Sequence, residues 1–396
     1  MVPSPGVIRV GKFSEKKKIC LICATPLTLH FFFRQHIETL SHDFDVTVIY
    51  NREIDSYINI DDLPAQKIYV PLQRKISPFN DVYCLILLTW HFLFNRYDHI
   101  WAIAPKAGLI ATFAGWLTRI SVRLFVFQGE VWATERGLKR FLLKNIDRLI
   151  AATASHVLSV SEGERKFLIH ERVVDPNKIN VLKPGSICGV DIKRFTIDPD
   201  TRVQMRQKLG FQEGDRVCLF LGRIRRDKGV LDLANAFHNA RNQGCERLKL
   251  LIIGPDEDSI SEEISKIIFP YSDDVVLHSF AADPAPFLSA SDLFCLPSYR
   301  EGFPISILEA AAMEIPTIGS RIYGIEDAIL NRMTGILFEP RNITELKQCL
   351  IEFYSQIDFY QNMGKKARER VVSSFDSQSI VKNYVNYIRS IGGSDK

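Results

Sequence analysis

Residues 293–310 read L-F-C-L-P-S-Y-R-E-G-F-P-I-S-I-L-E-A, and this stretch indicates how the second half of the chain folds. A short apolar run comes first, a turn containing glycine follows, and a second apolar segment begins directly after a proline. Gly302 permits an unusual turn, and Pro304 suits the first position of a helix. The stretch therefore predicts a strand, a turn and a helix in that order.

Short apolar runs alternate with longer helix-like segments on both sides of this stretch. The alternation indicates an α/β fold in which helices cover both faces of parallel sheets. In the first half the strand candidates are K-I-C-L-I-C-A (18–24), D-V-T-V-I-Y (45–50), H-I-W-A-I-A (99–104), V-R-L-F-V-F (122–127) and H-V-L-S-V-S (156–161). In the second half they are V-C-L-F-L-G-R (217–223), L-K-L-L-I-I-G (248–254), V-V-L-H-S-F (275–280), L-F-C-L-P-S (293–298), I-P-T-I-G-S (315–320) and T-G-I-L-F-E-P (334–340).

The segment N-V-L-K-P-G-S-I-C-G-V-D-I-K-R-F (180–195) interrupts the alternation with one proline and two glycines. Such a segment is typical of a crossing between domains, and a chain of 396 residues has room for two. We therefore predict a first domain at 1–192, a second at 193–376, and a terminal helix at 377–396 that packs back on the first domain. Two α/β domains of this kind face a cleft at the carboxyl ends of their strands, where such sheets bind ligands.

The composition, with 46% apolar and 24% charged residues, is typical of a soluble globular protein. The eight cysteines are scattered, which favours the reduced thiols of a cytosolic protein. The longest apolar run, V-Y-C-L-I-L-L-T-W-H-F-L-F at 82–94, holds 13 residues. Because roughly 20 are needed to cross a bilayer, we predict a buried helix there.

Charge is divided unevenly along the chain. Residues up to Phe195 contain 26 Lys and Arg against 18 Asp and Glu, whereas the remainder contains 24 against 28. The first half, with a net charge of +8, is therefore the half expected to meet an anionic partner. Basic residues at helical spacing in 136–149 indicate either a solvated helix face or a face that docks on an anionic membrane. They are Arg136, Lys139, Arg140, Lys144 and Arg148.

Two carboxylates bracket the turn and the helix start in the opening stretch. Free backbone amides around Gly302 to Ser306, backed by the positive end of a helix dipole, would form a phosphate site. Glu301 lies just before it and could accept hydrogen bonds from sugar hydroxyls, while Glu309 lies about one turn into the helix and could hold two ribose hydroxyls. The plainer alternative makes Glu301 a helix-start charge and Glu309 part of a solvated face. The flanking A-A-A-M indicates a helix packed on several sides, where Glu309 is costly unless paired.

A second polar stretch, F-L-G-R-I-R-R-D-K-G-V-L-D-L (220–233), places Arg223 and Lys228 on a short loop between a strand and a helix. Arginine can grip a diphosphate through two hydrogen bonds, and lysine adds a point charge. At the carboxyl end of the second domain's first strand, this loop is expected to face the same cleft as Glu301.

Several motifs, taken in order, resemble the retaining glycosyltransferases of family four, which have the GT-B fold of two Rossmann-like parallel-sheet domains facing a cleft. The resemblance covers about residues 17–390. In the second half it rests on G-R-I-R-R-D-K-G (222–229), on two glutamates separated by seven residues in S-Y-R-E-G-F-P-I-S-I-L-E-A-A-A (298–312), and on I-P-T-I-G-S-R-I-Y-G-I-E-D-A-I (315–329). In the first half P-K-A-G-L-I-A (105–111), G-E-V-W-A-T (129–134) and G-S-I-C-G-V-D-I-K-R-F (185–195) resemble the bacterial subgroup that builds capsule, O-antigen or other lipid-linked glycans.

The resemblance implies a role for each residue of the two polar stretches. Arg223 and Lys228 would hold the donor diphosphate and stabilise the leaving nucleotide, and Glu301 would contact the sugar hydroxyls. The stretch Gly302, Phe303, Pro304 and Ile305 would touch sugar and phosphate, and Glu309 would bind ribose. The resemblance implies catalysis without a cofactor or a metal ion, so the acids at 256–258 and 43–45, which loosely match D-x-D, are not expected to be metal sites.

Other positions depart from the family pattern or allow two interpretations. Gln128 stands where many relatives have a histidine that contacts the donor sugar; it can form hydrogen bonds but cannot act as an acid or base. Lys106, at a predicted helix start, either meets an acceptor phosphate or is a surface residue.

Taken together, the sequence predicts a cytoplasmic enzyme, peripheral on the inner face of the membrane, that is a retaining hexosyl- or N-acetylhexosaminyltransferase. Its partners would be a UDP-sugar donor, a saccharide acceptor linked to undecaprenyl diphosphate, and an anionic membrane surface, with no nucleic acid. Two alternatives stay open: a nucleotide-sugar epimerase of the same architecture, and a glycan-binding member without catalysis.

Overall fold

The computed structural model describes residues 16–55 and 58–392 and contains two parallel β-sheets. The ends of the predicted domains, 1–15 and 393–396, lie outside the described residues. The strands of the first sheet are β1 (Lys17–Ile22), β2 (Phe44–Tyr50), β3 (Gln66–Tyr69), β4 (His99–Ala102), β5 (Val122–Phe127), β6 (His156–Ser159) and β7 (Ile179–Val181). They are arranged in the order β3-β2-β1-β4-β5-β6-β7.

The second sheet repeats this arrangement with six strands. They are β8 (Arg216–Leu221), β9 (Leu248–Ile253), β10 (Val275–His278), β11 (Leu293–Leu296), β12 (Thr317–Ser320) and β13 (Gly335–Phe338). Their order is β10-β9-β8-β11-β12-β13, so the chain reverses direction across each sheet between its first and fourth strands. The carboxyl ends of those two strands are where open α/β sheets bind ligands.

Helices connect the strands and cover both faces of each sheet. In the first half they are α1 (Pro26–Thr28), which runs into a π-helical turn at Leu29–Phe33, α2 (Arg34–Leu40), α3 (Pro78–Asn95), α4 (Pro105–Leu117), α5 (Gly137–Thr153) and α6 (Glu162–His170). In the second half they are α7 (Pro199–Lys208), α8 (Val230–Arg241), α9 (Ser261–Ile268), α10 (Ala285–Ser289), α11 (Ile305–Ala312), α12 (Ile325–Ala328), α13 (Ile343–Ser355), α14 (Ile357–Ser374) and α15 (Ser377–Ile391).

The predicted α/β class and parallel sheets are confirmed, because every strand pair is parallel. The central strand β11 is buried along its whole length, which explains its continuous apolar run. Two edge strands were not predicted. β3 is short and half exposed, so it lacks an apolar run, and β7 has three residues inside the segment assigned to the domain crossing.

The last helix, α15, returns to the first half of the chain and packs beside α2. Tyr384 is buried there, its ring stacks on Trp101 with centroids 5.6 Å apart, and its hydroxyl donates to the carbonyl of Ser186 at 3.2 Å. Near the end of the helix, Arg389 pairs with Asp43 on the surface. The terminal helix therefore ties the second half of the chain to the core of the first.

The apolar run at 82–94 forms most of α3, but the helix is buried on one face only. Cys84, Leu88 and Phe92 lie in the core, whereas Ile86 and Trp90 are exposed. The prediction of a buried helix was therefore wrong for half of its surface. In the described part of the chain, no helix combines the length and hydropathy needed to cross a bilayer.

We predict that Tyr384→Ala lowers the free energy of unfolding by about 3–5 kcal/mol, because it removes a buried aromatic ring from its contact with Trp101. Urea unfolding followed by tryptophan fluorescence measures the loss. Arg389→Ala, which removes only an exposed ion pair on the same helix, is the control and should cost about 0–1 kcal/mol. Equal losses in the two variants would contradict the assigned role of the ring.

Candidate functional site

The carboxyl edges of the two sheets meet at three glycines. Gly129 follows β5, Gly302 follows β11 and Gly324 follows β12. A β-carbon added to Gly302 would lie 2.7 Å from both the carbonyl oxygen of Gln128 and the amide nitrogen of Gly129. One added to Gly324, where φ is +81°, would lie 2.7 Å from the carbonyl carbon of Gly302. Gly129 and Gly302 therefore join the two halves through backbone that has no room for a side chain, and Gly324 packs against Gly302 within the second half. We call Gly129, Gly302 and Gly324 the glycine seam.

Hydrogen bonds between the two halves flank the glycine seam. The hydroxyl of Tyr323 donates to Oε2 of Glu130 at 2.9 Å, and its ring stacks on Phe167 with centroids 4.7 Å apart. The carboxylate of Asp327 accepts from the amide of Gly163 at 3.2 Å and from that of Gly324 at 3.1 Å. These contacts fix the edge of one sheet against the edge of the other.

Lys228 and Glu301 form the central ion pair of the candidate site. Lys228 ends a 3₁₀ turn at Arg226–Lys228 that follows β8, and Glu301 lies in the loop after β11, the neighbouring strand. The Nζ of Lys228 donates to Oε1 of Glu301 at 2.6 Å, and the two side chains are only 16% and 13% exposed. The sequence placed both residues at the cleft but gave no sign that they pair.

The neighbouring cations are also paired with acids. Arg223 lies 3.3 Å from Glu257, and Arg300 lies 2.9 Å from Asp227. Asp256 accepts from the amides of residues 260 and 261 and so holds the start of α9. Among the D-x-D-like acids at 256–258, Glu257 therefore pairs with the basic loop and Asp256 accepts hydrogen bonds at a helix start. Glu257, Asp227 and Arg300 were missed because their partners are distant in sequence.

The loop after Glu301 leads into α11, whose first turn has no side-chain cap. Pro304 is the N-cap and the helix begins at Ile305, one residue later than predicted. Because proline has no N–H, it offers no donor, which leaves the amides of Gly302, Phe303 and Ile305. The ring of Phe303 is buried against Phe375, with centroids 5.4 Å apart, so this residue offers backbone rather than side chain.

Glu309 lies one turn into α11 and is half-buried. Burial raises the pKa of its carboxyl to about 7, opposed by the nearby charge of Arg194. No residue in the described part of the chain forms a hydrogen bond or an ion pair with this carboxyl. The position is therefore not an ordinary solvated face, since a buried carboxylate without a donor is unfavourable until a ligand supplies one.

The two first-half candidates lie in different surroundings. Gln128 is exposed directly after β5, and its backbone touches Gly302 across the glycine seam. Lys106 is the second residue of α4; its amine lies 2.6 Å from Asp81 and donates to the carbonyl of Lys75. Its proposed contact with an acceptor phosphate stays a prediction, and in this structure the amine joins the starts of α3 and α4.

The basic helix α5 differs from the expected membrane-facing arrangement. Arg140 and Lys144 both reach Glu171, at 2.9 and 2.6 Å, and both lie over the ring of Trp132. Lys139 pairs with Glu135 at 2.6 Å and is the most exposed of the three. Two of the three candidate cations therefore face inward.

Buried acids beneath Gly129 were not found by the sequence analysis. Glu164 accepts from the hydroxyl of Ser159 at 2.5 Å, from the amide of Val160 at 3.1 Å, and from the amide of Gly129. Burial and the neighbouring Glu164 raise the pKa of Glu130 well above its usual range. Glu164 therefore holds the loop after β5 in place.

We predict that Gly302→Ala loosens the contact between the two halves and costs about 1–3 kcal/mol of stability, because the added carbon meets backbone that cannot move aside. Thermal unfolding measures the cost, and small-angle X-ray scattering should show a larger radius of gyration.

Gly222→Ala is the matched control, since the nearest atom to a β-carbon there is a ring carbon of Phe220 at 3.8 Å. If Gly302→Ala unfolded and scattered as the control does, the glycine seam would not be a close contact in solution.

Comparison with known proteins agrees with this architecture. The family model for glycosyl transferases group 1 matches residues 201–370, and that for the glycosyl transferase 4-like domain matches residues 39–185. The capsular polysaccharide biosynthesis glycosyltransferase CapM of Staphylococcus aureus is 29% identical over 78% of this chain and 81% of its own length. The UDP-Gal:alpha-D-GlcNAc-diphosphoundecaprenol alpha-1,3-galactosyltransferase of Escherichia coli is 25% identical over 86% of this chain and 88% of its own.

Among solved structures, Anabaena HepE in complex with UDP and glucose superposes with a TM-score of 0.78 at 16% identity, covering 94% of this chain and all of that one. This likeness shows the fold. The two family models together span most of the chain and fall on its two sheets in turn. The chain belongs to the family-four glycosyltransferases of group 1, with the GT-B fold and relatives in bacterial capsule and lipid-linked glycan synthesis.

Proposed function

We propose that this glycosyltransferase moves a hexosyl or N-acetylhexosaminyl group from a UDP-linked donor to a lipid-linked saccharide and retains the anomeric configuration. The first domain, residues 1–192, would bind the acceptor, and the second, residues 193–376, the nucleotide sugar. The observation that carries the proposal is the half-buried pair of Lys228 and Glu301, beside an uncapped helix start and an unpartnered Glu309.

The chemistry requires stabilisation of a leaving diphosphate. As the bond from the anomeric carbon to the diphosphate oxygen breaks, the electron pair goes to the diphosphate and the sugar becomes oxocarbenium-like. Once the donor is bound, Arg223, Lys228 and the amides at the start of α11 would be held at that point, so they would stabilise the charge that develops as the bond breaks. The same cations supply the charge that a divalent ion would otherwise supply, and the proposal needs no metal.

Donor binding would exchange partners at the central pair. Lys228 would turn its charge to the diphosphate, which frees Glu301 to accept hydrogen bonds from the sugar hydroxyls. Glu309 would accept from the two ribose hydroxyls, which supply the donors that its carboxyl lacks. Among the described residues, Lys228 and Glu301 have each other as exchangeable partners, and the carboxyl of Glu309 has none.

An open cavity of about 600 Å³ between the two halves suits the acceptor. Arg136, Arg140 and Arg341 line it, together with Tyr299, two residues before Glu301. Arg140 is paired with Glu171, which leaves the guanidinium groups of Arg136 and Arg341 to meet a diphosphate. The Escherichia coli relative is named for a diphosphoundecaprenol acceptor, and we propose the same class here, with the enzyme peripheral on an anionic inner leaflet.

We predict that Glu301→Gln and Lys228→Ala each lower turnover about 100-fold while the chain stays folded, since each removes a preorganised group at the reacting centre. The assay incubates the protein with radiolabelled UDP-sugars and a lipid extract and separates the lipid-linked product. Lys266→Ala is the control, because Lys266 forms an exposed pair with Glu262 in the same half.

The assay also separates the two alternatives. A changed free nucleotide sugar without an acceptor would favour an epimerase, and binding without either product would favour a glycan-binding protein. Near-normal transfer in Glu301→Gln would remove that residue from the site.

We further predict that UDP affinity falls as the pH drops below about 7. The Glu309 carboxyl has a pKa near 7 in the free protein, and hydrogen bonds from ribose favour its ionised form, so binding lowers this pKa and releases a proton. Affinity should therefore be full above the free pKa and decline by up to about tenfold per pH unit below it.

Calorimetry at about pH 8 and about pH 6, in buffers of different ionisation enthalpy, measures both the UDP affinity and the number of protons released on binding. Glu309→Gln should bind UDP more weakly, and its affinity should lack the pH dependence that comes from the Glu309 carboxyl. Protonation of the diphosphate itself affects the variant and the parent equally. Parallel pH profiles for the two would place the ribose elsewhere.

A further inference from the structure

Helix α3 has a second apolar stripe on the side that faces away from the sheet. Its exposed residues recur every three or four positions, as one face of a helix requires. Phe79 is 93% exposed, Phe94 is 67% and Trp90 is 66%. The full stripe is Phe79, Val82, Tyr83, Ile86, Trp90, Leu93 and Phe94.

The two neighbouring helices of the same layer extend the stripe. α3 packs on α4 and α4 packs on α5, and all three cover one face of the first sheet. Their exposed large apolar residues are Trp116 and Leu117 on α4, and Leu138, Phe141, Leu142 and Leu149 on α5. We call these six residues and the α3 stripe the outer apolar face.

The outer apolar face is too large to be ordinary protein surface. A fully accessible aromatic side chain offers about 150–250 Å², so Phe79, Trp90 and Phe94 alone expose on the order of 400 Å². That area already equals the largest apolar patch of a typical soluble monomer, which is about 300–600 Å² and marks a binding surface. The remaining residues of the face add to it.

The charged residues on and around the outer apolar face indicate the kind of partner that it would bind. Helices α3, α4 and α5 contain two acids, and both are occupied: Asp81 pairs with Lys106, and Asp147 accepts from Trp132 at 2.6 Å. Four exposed cations flank the helix ends and form no ion pair with any described residue. They are Lys75, Arg96, Arg119 and Arg136.

An uncharged, aromatic-rich surface inside a basic rim fits the interface of an anionic bilayer. Aromatic rings and long basic side chains both favour the headgroup level, and the rim would meet lipid phosphates. A second copy of this chain fits less well, because a symmetric contact would bring the same basic rim to itself with no free acid on α3–α5 to pair with it.

We propose that the outer apolar face inserts into the interfacial layer of an anionic membrane, with α3 lying along the surface. The helix of 18 residues is about 27 Å long, and its other side stays in the protein core, so it lies on the bilayer and does not cross it. The inference deepens the proposed function, on which it rests for the lipid-linked acceptor. It replaces the basic face of α5 as the membrane contact, because Arg140 and Lys144 face inward.

This orientation brings the cleft to the acceptor. α4 and α5 both begin on the cleft side of their sheet, and Lys106 joins the start of α4 to the start of α3. The Phe79 end of the stripe and Arg136 therefore lie on that side, with the cavity of about 600 Å³ beside them. Insertion of the outer apolar face places this cavity at the depth of lipid phosphates.

The test measures binding to vesicles of phosphatidylcholine and phosphatidylglycerol by co-sedimentation. The double variant Ile86→Ser/Trp90→Ser should lose at least tenfold in vesicle affinity while its thermal unfolding and UDP binding stay unchanged, because both side chains are exposed and far from the donor site. The matched control is Ile197→Ser/Val203→Ser, which removes two exposed apolar residues from the second half and should bind as the parent does.

Tryptophan emission gives an independent measurement. Trp101 and Trp132 are buried, whereas Trp90 and Trp116 lie in the outer apolar face, so vesicles should shift the emission to the blue. Trp90→Phe/Trp116→Phe should abolish the shift. High salt should weaken binding, yet leave the shift in the fraction that stays bound, since insertion buries apolar rings and the rim adds only electrostatic attraction.

Three results would overturn the proposal. Unchanged vesicle binding in Ile86→Ser/Trp90→Ser would exclude the outer apolar face, and an unshifted emission with complete loss of binding in salt would leave a purely electrostatic contact. A dimer of the parent chain that the variant converts to a monomer, without vesicle binding by either, would make the face a contact between copies. Because vesicle and UDP binding are measured without sugar transfer, failure of the proposed function leaves both readouts interpretable.

Discussion

The close backbone contact at the glycine seam is the constraint on which the arrangement of this site depends. Two sheets built separately along the chain have no reason to face each other unless their carboxyl edges can approach. Gly129 and Gly302 permit that approach because a β-carbon at either would meet main-chain atoms of the loop on the other half. A β-carbon at Gly324 would meet the backbone of Glu301 and Gly302, so this glycine lets the loop after β12 pack behind the contact. The motifs G-E-V-W-A-T, R-E-G-F-P and R-I-Y-G-I-E-D each contribute one of these glycines. Three glycines from separate motifs thus serve one region of close backbone packing.

The strand order of the second sheet determines which charges meet in this site. With the loops after β8 and β11 side by side, Lys228 and Glu301 lie 2.6 Å apart, and Arg223, Arg300 and their acids surround them. A half-buried cation would be unfavourable alone, and the carboxylates neutralise these cations. In the proposed function a diphosphate, which carries more negative charge than one carboxylate and has several oxygens for guanidinium and amide donors, would replace these partners. Pairing within the site keeps the cations stable and is compatible with the proposed exchange.

The sequence was sufficient for the sheets and for part of the site. Central strands could be predicted because both faces are buried and their residues form continuous apolar runs, whereas β3 and β7 lie at an edge and have no such pattern. Arg223, Lys228, Glu301 and Glu309 could be placed at strand ends, because carboxyl ends of parallel strands share one edge. The pairing of Lys228 with Glu301 could not be predicted, since these two residues are 73 positions apart in sequence. Glu130 and Glu164 look like ordinary surface acids in sequence. In the fold Glu164 is buried among first-half partners beneath the loop after β5, and Glu130 is buried where Tyr323 of the second half reaches it.

Helix α3 illustrates a different limit of prediction from sequence. Its sequence is apolar all round, and a periodicity argument assigns such a helix to the core. In this fold the layer of α3, α4 and α5 has sheet on one side only, so half of each helix surface has no protein to pack on. Polar residues normally occupy that half, and in α3 and α4 the only charged side chains are Asp81 and Lys106, which pair with each other. The hydropathy of the segment therefore fits the sheet beneath it and the membrane interface proposed for its outer side, and the layered architecture distinguishes the two sides where composition cannot.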